Sequence, residues 1–185
     1  VPLWQKTEEQ LNEEGLPPPF WAFAWAGGQA LARFVLDHTE QVRGKRVLDL
    51  ASGSNLATET ATLEAAHEVT AADIDAFALD AANLNACAND VALRFLADDL
   101  LASCSFGAWD TVLAGDIFYE RDTAERALAF VMRAAAKGAT ILIGDPGRSY
   151  LPKERLIKLA EYSVPVTREL EDNEIKRTAV WTLRA

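Results

Sequence analysis

From residue 45 onward, short apolar segments alternate with longer segments of helical periodicity, and this alternation limits the possible folds more than any other feature. The predicted strands cover residues 46–50, 68–72, 93–97, 111–115 and 139–144. The predicted helices cover residues 56–66, 76–89, 124–137 and 153–161. Because parallel strands are joined by right-handed helical crossovers, this order predicts a parallel sheet with helices on both faces.

The C-terminal part of the chain follows a different pattern. Residues 164–170 and 176–183 alternate polar and apolar side chains around the acidic turn at residues 171–173. This pattern is typical of an antiparallel hairpin. The sequence therefore predicts an α/β fold of the Rossmann-like, doubly wound type. Its sheet is mostly parallel and seven-stranded, and a C-terminal antiparallel hairpin completes it.

The N-terminal part is expected to cover one edge of this domain. The prolines at residues 17–19 interrupt any helix formed by the acidic residues 3–15, because a residue before proline disfavours helical dihedrals. The aromatic segment, residues 20–28, follows with the sequence Phe-Trp-Ala-Phe-Ala-Trp-Ala-Gly-Gly. We divide the chain into an arm and aromatic segment at residues 1–28 and a single domain at residues 29–185, which begins with a helix at 29–37.

Composition excludes several classes of protein. The chain has 185 residues, half of them apolar, with a net charge of −10, which argues against disorder and against binding of a nucleic-acid backbone. No apolar run approaches the length of a membrane span. Cys87 and Cys104 lack metal-ligand spacing, so we expect no metal site and two buried or half-buried thiols. We expect a monomer without nucleic-acid or membrane partners.

The stretch from residue 46 to residue 75 indicates a nucleoside-containing cofactor. A strand runs into the first turn, Asp-Leu-Ala-Ser-Gly-Ser-Asn at residues 49–55, and the next strand ends in Asp73 and Asp75. A dinucleotide turn needs three spaced glycines to seat a pyrophosphate, and only Gly53 is present. An amino acid joined to adenosine needs less of this geometry, and its ammonium group can bind to Asp49 and to backbone groups.

Acidic residues follow the second and third strands. Asp73 is favoured for binding two ribose hydroxyls, and Asp75 for capping the helix that starts near residue 76. Asp98 and Asp99 end the third strand, and Asp99 is the better placed to accept from an adenine amino group. A solvated acidic turn explains this last pair equally well.

Two further segments follow the fourth and fifth strands. Residues 116–120, Asp-Ile-Phe-Tyr-Glu, place an acid and aromatics where chemistry often occurs, with Phe118 predicted to be a core residue and Tyr119 to wall a channel for an alkylammonium. Residues 144–148, Gly-Asp-Pro-Gly-Arg, predict a rigid turn. Asp145 and Arg148 either pair locally or contact a substrate.

These residues resemble the class I S-adenosylmethionine (SAM)-dependent methyltransferases. The similarity lies in the first turn, in the acidic end of the second strand and in the seven-stranded pattern. Residues 116–119 resemble the Asp-x-x-Tyr/Phe motif of a subgroup that methylates mostly protein lysines. More narrowly, three segments resemble the electron-transfer flavoprotein β-subunit lysine methyltransferases: residues 16–28, residues 115–120, and residues 144–150 with the later 168–172.

The resemblance implies a protein-lysine N-methyltransferase that uses SAM and acts on the electron-transfer flavoprotein β subunit. It implies catalytic roles for Asp116, which orients the amine, and for Tyr119. The implied cofactor-binding residues are Trp25, Asp49, Ser52, Gly53, Asp73, Asp99 and Ala114. The expected location is the cytoplasm for a bacterial protein and the mitochondrial matrix for a eukaryotic one.

The first turn departs from the family pattern. Ala51 and Asn55 stand where glycine is usual; alanine is tolerable at position 51 where φ is negative, and Asn55 accepts a left-handed backbone. The helix at 56–66 is unusually rich in Thr and Glu. Three alternatives stay open: a nucleotide-dependent oxidoreductase, a small-molecule N-methyltransferase, and a methyltransferase-fold binding module with weakened cofactor binding.

Overall fold

The computed structural model describes residues 6, 11, 13–16, 18–103, 107–166 and 174–184. Within them, the α-helices are α1 (Ala26–Asp37), α2 (Leu56–Leu63), α3 (Ala76–Ala88) and α4 (Arg121–Ala136). The strands are β1 (Arg46–Leu50), β2 (Glu68–Ala72), β3 (Arg94–Leu96), β4 (Thr111–Gly115), β5 (Thr140–Asp145), β6 (Leu156–Pro165) and β7 (Ile175–Leu183). No helix among these residues is long and apolar enough to span a membrane.

The seven strands form one sheet in the order β3-β2-β1-β4-β5-β7-β6. Strands β1 to β5 are parallel, and β7 runs antiparallel to both β5 and β6. The predicted fold class is therefore confirmed. Leu50 lies in register with Ala72 and Ala114, so the loops after these strands emerge at the same edge of the sheet. This carboxyl edge is the place where ligands bind in open α/β sheets.

Helices cover both faces of the sheet. Since adjacent residues of a strand point to opposite faces, neighbouring residues pack against different helices. In β1, Leu48 belongs to the core cluster that contains Phe130 of α4. Its neighbour Val47 belongs to the cluster that contains Leu31 of α1. Burial on both faces explains why the central strands are continuous apolar runs rather than alternating ones.

The predicted helix at residues 153–161 is wrong. Lys153–Arg155 form a single 3₁₀ turn, and β6 begins directly afterwards. Along β6, Leu156 and Val164 are buried and pair with Leu183 and Lys176 of β7. Pairing with a distant strand thus overrides the local helical pattern. The predicted strand at 164–170 enters β6 only at its start, and residues 167–173 lie outside the described part of the chain.

The other predicted helix and strand boundaries agree more closely with the structure. Predicted strands β1, β2 and β4 have the expected bounds, whereas α1 begins at Ala26 instead of residue 29. The domain boundary drawn after residue 28 therefore falls in the first turn of α1. Cys87 is exposed, which contradicts the expected burial, and Cys104 lies outside the described residues. Most of the arm at 3–15 is also outside them.

Candidate active site

A cleft opens at the carboxyl edge of the sheet, between the first turn and the start of α1. The aromatic segment contributes to one wall, and the end of β4 contributes Gly115. The cleft is lined by Trp25, Gly28, Asp49, Ala51, Ser52, Gly53, Ser54, Leu56, Ala57 and Gly115. Four of the predicted cofactor-binding residues, namely Trp25, Asp49, Ser52 and Gly53, are therefore brought together here.

The first turn has a left-handed backbone at three positions. Asn55 has φ 67°, as predicted, and Gly53 has φ 50°. Ala51 has φ 54°, outside the negative range in which alanine is tolerable, and this costs roughly 1–2 kcal/mol for a residue with a Cβ. The Ser52 amide donates to the Ala72 carbonyl at 3.0 Å, which holds the turn against the end of β2.

Two buried polar atoms in this turn lack a hydrogen-bond partner among the described residues. They are Ser52 Oγ and Asn55 Oδ1. Buried polar atoms are nearly always paired, so an orphaned hydroxyl in a cleft wall indicates a place for a polar ligand. The turn thus fits a cofactor that carries an amino-acid group and a nucleoside.

Asp49 is the buried acid of the cleft. Its Oδ2 accepts a hydrogen bond of 2.5 Å from Thr58 Oγ1 of α2. Burial raises the pKa of Asp49 to about 7; the bond from Thr58 opposes the rise, and the negative charge of Asp73 adds to it. The carboxyl group can therefore change its charge near neutral pH, which suits contact with an ammonium group.

The Thr-rich character of α2 also has a structural explanation. Thr60 and Thr62 donate their hydroxyls to the carbonyls of Leu56 and Thr58, four residues earlier. Such bonds satisfy hydroxyls within the helix. Thr58, which is fully buried, instead donates to Asp49. The polar helix thus supplies a specific partner to the site.

Asp73 lies between the first turn and the start of α3. Its carboxylate accepts from the amides of Gly53 and Asp75, each at 3.0 Å, and burial raises its pKa. Asp75 caps α3 by accepting from the Phe77 amide at 2.9 Å, which confirms its predicted role. Asp73 is thus fixed next to the cleft, at the position predicted for ribose binding.

The other two predicted cofactor residues lie outside the cleft wall. Asp99 pairs with Arg126 of α4 at 2.6 Å, and its second oxygen accepts from the amides of Leu101 and Ala102. Ala114 is fully buried in the core, whereas Gly115 beside it faces the cleft. Both residues follow the expected strands, and their contact with a cofactor stays a prediction.

Asp116 is buried and held from two sides. Arg148 donates to Asp116 Oδ1 from Nε at 3.0 Å and from a terminal nitrogen at 2.8 Å. The Gly27 amide of α1 donates to Asp116 Oδ2. The backbone of Asp116 is left-handed, with φ 52°, and its amide donates to the Gly144 carbonyl at 2.9 Å. Strained backbone of this kind is concentrated at functional sites.

The aromatic segment lies over this part of the sheet edge. The Trp25 indole donates to the Phe20 carbonyl at 2.7 Å, and the ring centroids of Phe20 and Tyr119 are 5.7 Å apart. Phe118 is fully buried, as predicted, while Tyr119 is 47% exposed. Burial and the negative charges of Glu120 and Asp73 raise the pKa of Tyr119. Tyr119 is therefore a half-exposed, neutral phenol beside the aromatic segment.

Reasoning from the sequence missed two side chains. Thr58 was noted only as part of an unusual helix, and Arg148 only as a turn residue that either pairs with Asp145 or contacts a substrate. In the structure, the Arg148 amide donates to Asp145 at 2.7 Å, but its guanidinium binds Asp116. The only sequence signal for this contact was the presence of a cation after a strand adjacent to β4.

Comparison with known proteins agrees with this geometry. The family model described as methyltransferase small domain matches residues 22–141. The chain belongs to this methyltransferase family. The matched residues include most of the aromatic segment, from Ala22 onward, the first turn, and Asp116 with Tyr119.

Named relatives align with most of the chain. The electron transfer flavoprotein beta subunit lysine methyltransferase of Xenopus laevis is 36% identical over 89% of this chain and 69% of its own length. The rat protein of the same name is 35% identical over 88% of this chain and 66% of its own length. A Caenorhabditis elegans homolog is 31% identical and matched over 76% of its length. The methyltransferase described here thus spans about two thirds of these relatives.

Solved structures show the same fold. A magnesium protoporphyrin IX methyltransferase from Synechocystis, with bound SAM, matches with TM-score 0.61 and 14% identity, over 85% of this chain and 78% of its own. A SAM-dependent methyltransferase from Clostridium acetobutylicum matches with TM-score 0.60 and 11% identity, over 89% and 94%. The chain carries a SAM-dependent methyltransferase domain, and its cofactor is SAM.

Proposed function

We propose that this methyltransferase transfers a methyl group from SAM to a lysine side chain of the electron transfer flavoprotein β subunit. The relatives named for this activity are 31–36% identical over 88–89% of the chain. The net charge of −10 also favours a substrate segment that is positively charged, as a lysine-bearing segment is.

The observation that carries this proposal is the position of residues 116–119 beside the cleft. The Tyr119 ring packs near Phe20, and Tyr119 is close enough to Asp73 for the negative charge of Asp73 to affect the Tyr119 pKa. The motif expected to bind the amine and the acid expected to bind the ribose therefore lie on neighbouring parts of the carboxyl edge.

The residues around the opening can prepare an amine for transfer. When bound, SAM supplies an electrophilic methyl carbon attached to a positively charged sulfur. In this proposal the half-exposed rings of Phe20 and Tyr119 pack against the bound lysine side chain and displace water from it. Desolvation lowers the pKa of a lysine and so favours its neutral, nucleophilic form. Asp116 orients the amine, by its carboxylate or by a neighbouring carbonyl. Such positioning can lower a barrier by about 7–11 kcal/mol in ideal cases.

The test is transfer to purified flavoprotein. The chain, SAM and the electron transfer flavoprotein are incubated, and the intact mass of each subunit is measured. We expect the β subunit to gain one or more methyl groups, and Lys→Arg substitution at the mapped position to abolish the gain. An unchanged β subunit, with label appearing in a small amine instead, would contradict the proposal and favour the small-molecule alternative.

A matched pair of variants tests the site. Asp116→Ala is expected to abolish transfer while SAM binding, measured by calorimetry, persists. Asp122→Ala is the control, because this acid lies nearby at the start of α4 but its side chain is 80% exposed. Full activity of Asp116→Ala would contradict the assigned role.

A further inference from the structure

Arg148 makes the most buried Arg–Asp ion pair at the carboxyl edge, and the function proposed above gives it no role. Its side chain is 22% exposed, and that of Asp116 is 9% exposed. The guanidinium approaches Asp116 Oδ1 with two nitrogens, at 3.0 and 2.8 Å. Two-nitrogen contacts of this kind fix orientation as well as charge, and lysine cannot reproduce them.

The same carboxylate supports the start of α1. Trp25 occupies the N-cap position without a side-chain capping bond, and the Gly27 amide is satisfied by Asp116, which is 89 residues away in the chain. A carboxylate at a helix N-terminus is favoured by the hydrogen bond and by the helix dipole. Asp116 therefore caps the N-terminus of α1, a role that a Ser or Asp next to the helix in sequence has in most helices.

Glycines allow this close approach. A Cβ at Gly27 would collide with the Gly144 carbonyl and with the Asp116 carboxylate. A Cβ at Gly115 would lie 3.1 Å from the Gly28 amide nitrogen. The first turn of α1 is thus packed directly on the backbone at the ends of β4 and β5.

Arg148 also touches the aromatic segment. Its guanidinium carbon lies 5.7 Å from the centre of the Trp25 ring, within the range of a cation–π contact. One side chain thus joins the loop that starts at Asp116 to the wall of the cleft formed by Trp25.

We propose that Arg148 is a positioning residue for methyl transfer. It holds the Asp116 carboxylate on the N-terminus of α1 and packs on Trp25, and so fixes residues 116–119 relative to the cleft. The loop at residues 116–119 is then already in position when the substrate amine binds. This inference rests on the proposed function for its kinetic consequence but not for its structural one.

The kinetic test compares Arg148→Ala and Arg148→Lys with Arg46→Ala. Arg46 also contacts an aspartate with two nitrogens, one on each carboxylate oxygen of Asp110, at the opposite edge of the sheet. We expect Arg148→Ala to lower kcat on the flavoprotein about 100-fold, since small displacements from productive geometry cost that much. The Kd for SAM should change less than about threefold, because Arg148 is not among the residues lining the cleft.

Arg148→Lys keeps the charge and guards against loss of folding, and it should recover only part of kcat because it lacks the planar fork. Arg46→Ala should keep wild-type kcat. Wild-type kcat in Arg148→Ala, or an equal loss in Arg46→Ala, would overturn the proposal.

The structural test needs no substrate. Amide hydrogen exchange of residues 26–31 is measured in Arg148→Lys and Arg46→Ala at the same fraction folded. Faster exchange only in the Arg148 variant supports the proposal, and unchanged exchange overturns it. If the wild type methylates no flavoprotein, the proposed function is wrong. The exchange comparison still tests whether Arg148 holds the Asp116 carboxylate on the N-terminus of α1.

Discussion

Two Arg–Asp pairs with the same chemistry lie at opposite edges of the sheet. Arg46 and Asp110 pair at the amino edge with 43% and 42% of their side chains exposed. Arg148 and Asp116 pair at the carboxyl edge with 22% and 9% exposed. At the amino edge water can replace either partner, whereas at the carboxyl edge each loss leaves a buried charge without its partner. Burial separates the pair at the carboxyl edge from an ordinary surface ion pair.

The largest expected effect comes from breaking the buried pair. Arg148→Ala should lower the free energy of unfolding by about 3–5 kcal/mol, because the Asp116 carboxylate stays buried without its cation. Arg46→Ala should cost less than about 1 kcal/mol, since that pair is exposed. Urea unfolding followed by tryptophan fluorescence measures both, and equal losses would remove the distinction between the two edges.

The close packing at the carboxyl edge gives the next effect. Gly27→Ala should lower the free energy of unfolding by about 1–3 kcal/mol, because the added Cβ meets backbone that cannot move away. The control is Gly28→Ala, whose Cβ meets nothing within 4 Å and should raise stability by up to about 1 kcal/mol. Equal responses in urea unfolding would mean that the glycines are not required by packing.

The contributions of Asp49, at the carboxyl edge, and Asp110, at the amino edge, to stability should change with pH in opposite directions. Burial raises the pKa of Asp49 to about 7, so between about pH 4 and pH 7 the folded chain keeps a proton that the unfolded chain releases. The contribution of Asp49 to stability therefore falls as pH rises through this window, by up to about 1.4 kcal/mol per pH unit.

Asp110 behaves oppositely, because Arg46 holds its pKa below the usual range. Its contribution is present above about pH 4 and is lost as pH falls below that value. Urea unfolding of Asp49→Asn and Asp110→Asn from pH 3 to pH 8 measures both. The Asp49→Asn difference should change only between about pH 4 and pH 7, and a flat difference would contradict the buried, protonated state.

The smallest expected effect concerns Ala51 in the first turn. Ala51→Gly should raise the free energy of unfolding by roughly 1 kcal/mol, because glycine adopts φ 54° without a Cβ penalty. Ala129→Gly, at an exposed position inside α4, should lower it by about 1 kcal/mol. A loss of stability in both variants would show that Ala51 is not strained.

The parts predicted from the sequence are those governed by neighbours in the chain. Strands β1, β2 and β4 are short apolar runs with clear ends, and Asp75 caps α3 through an amide two residues away. The left-handed backbone of Asn55 also follows from the residue type. Location in the cell and the oligomeric state stay predictions.

The predictions from the sequence failed where contacts between residues distant in the chain determine the local conformation. The local pattern of residues 156–161 predicts a helix, but pairing with β7 makes these residues part of a strand. The positive φ of Ala51 is imposed by a turn held against β2.

The fold class, the left-handed backbone of Asn55 and the resemblance to the family follow from the sequence, because strand periodicity and turn chemistry act over a few residues. The contacts of Asp116, in contrast, depend on the tertiary structure. Its carboxylate accepts hydrogen bonds from Gly27, 89 residues before it, and from Arg148, 32 residues after it. No local pattern encodes such a meeting, because it depends on which strand ends become neighbours in the folded sheet.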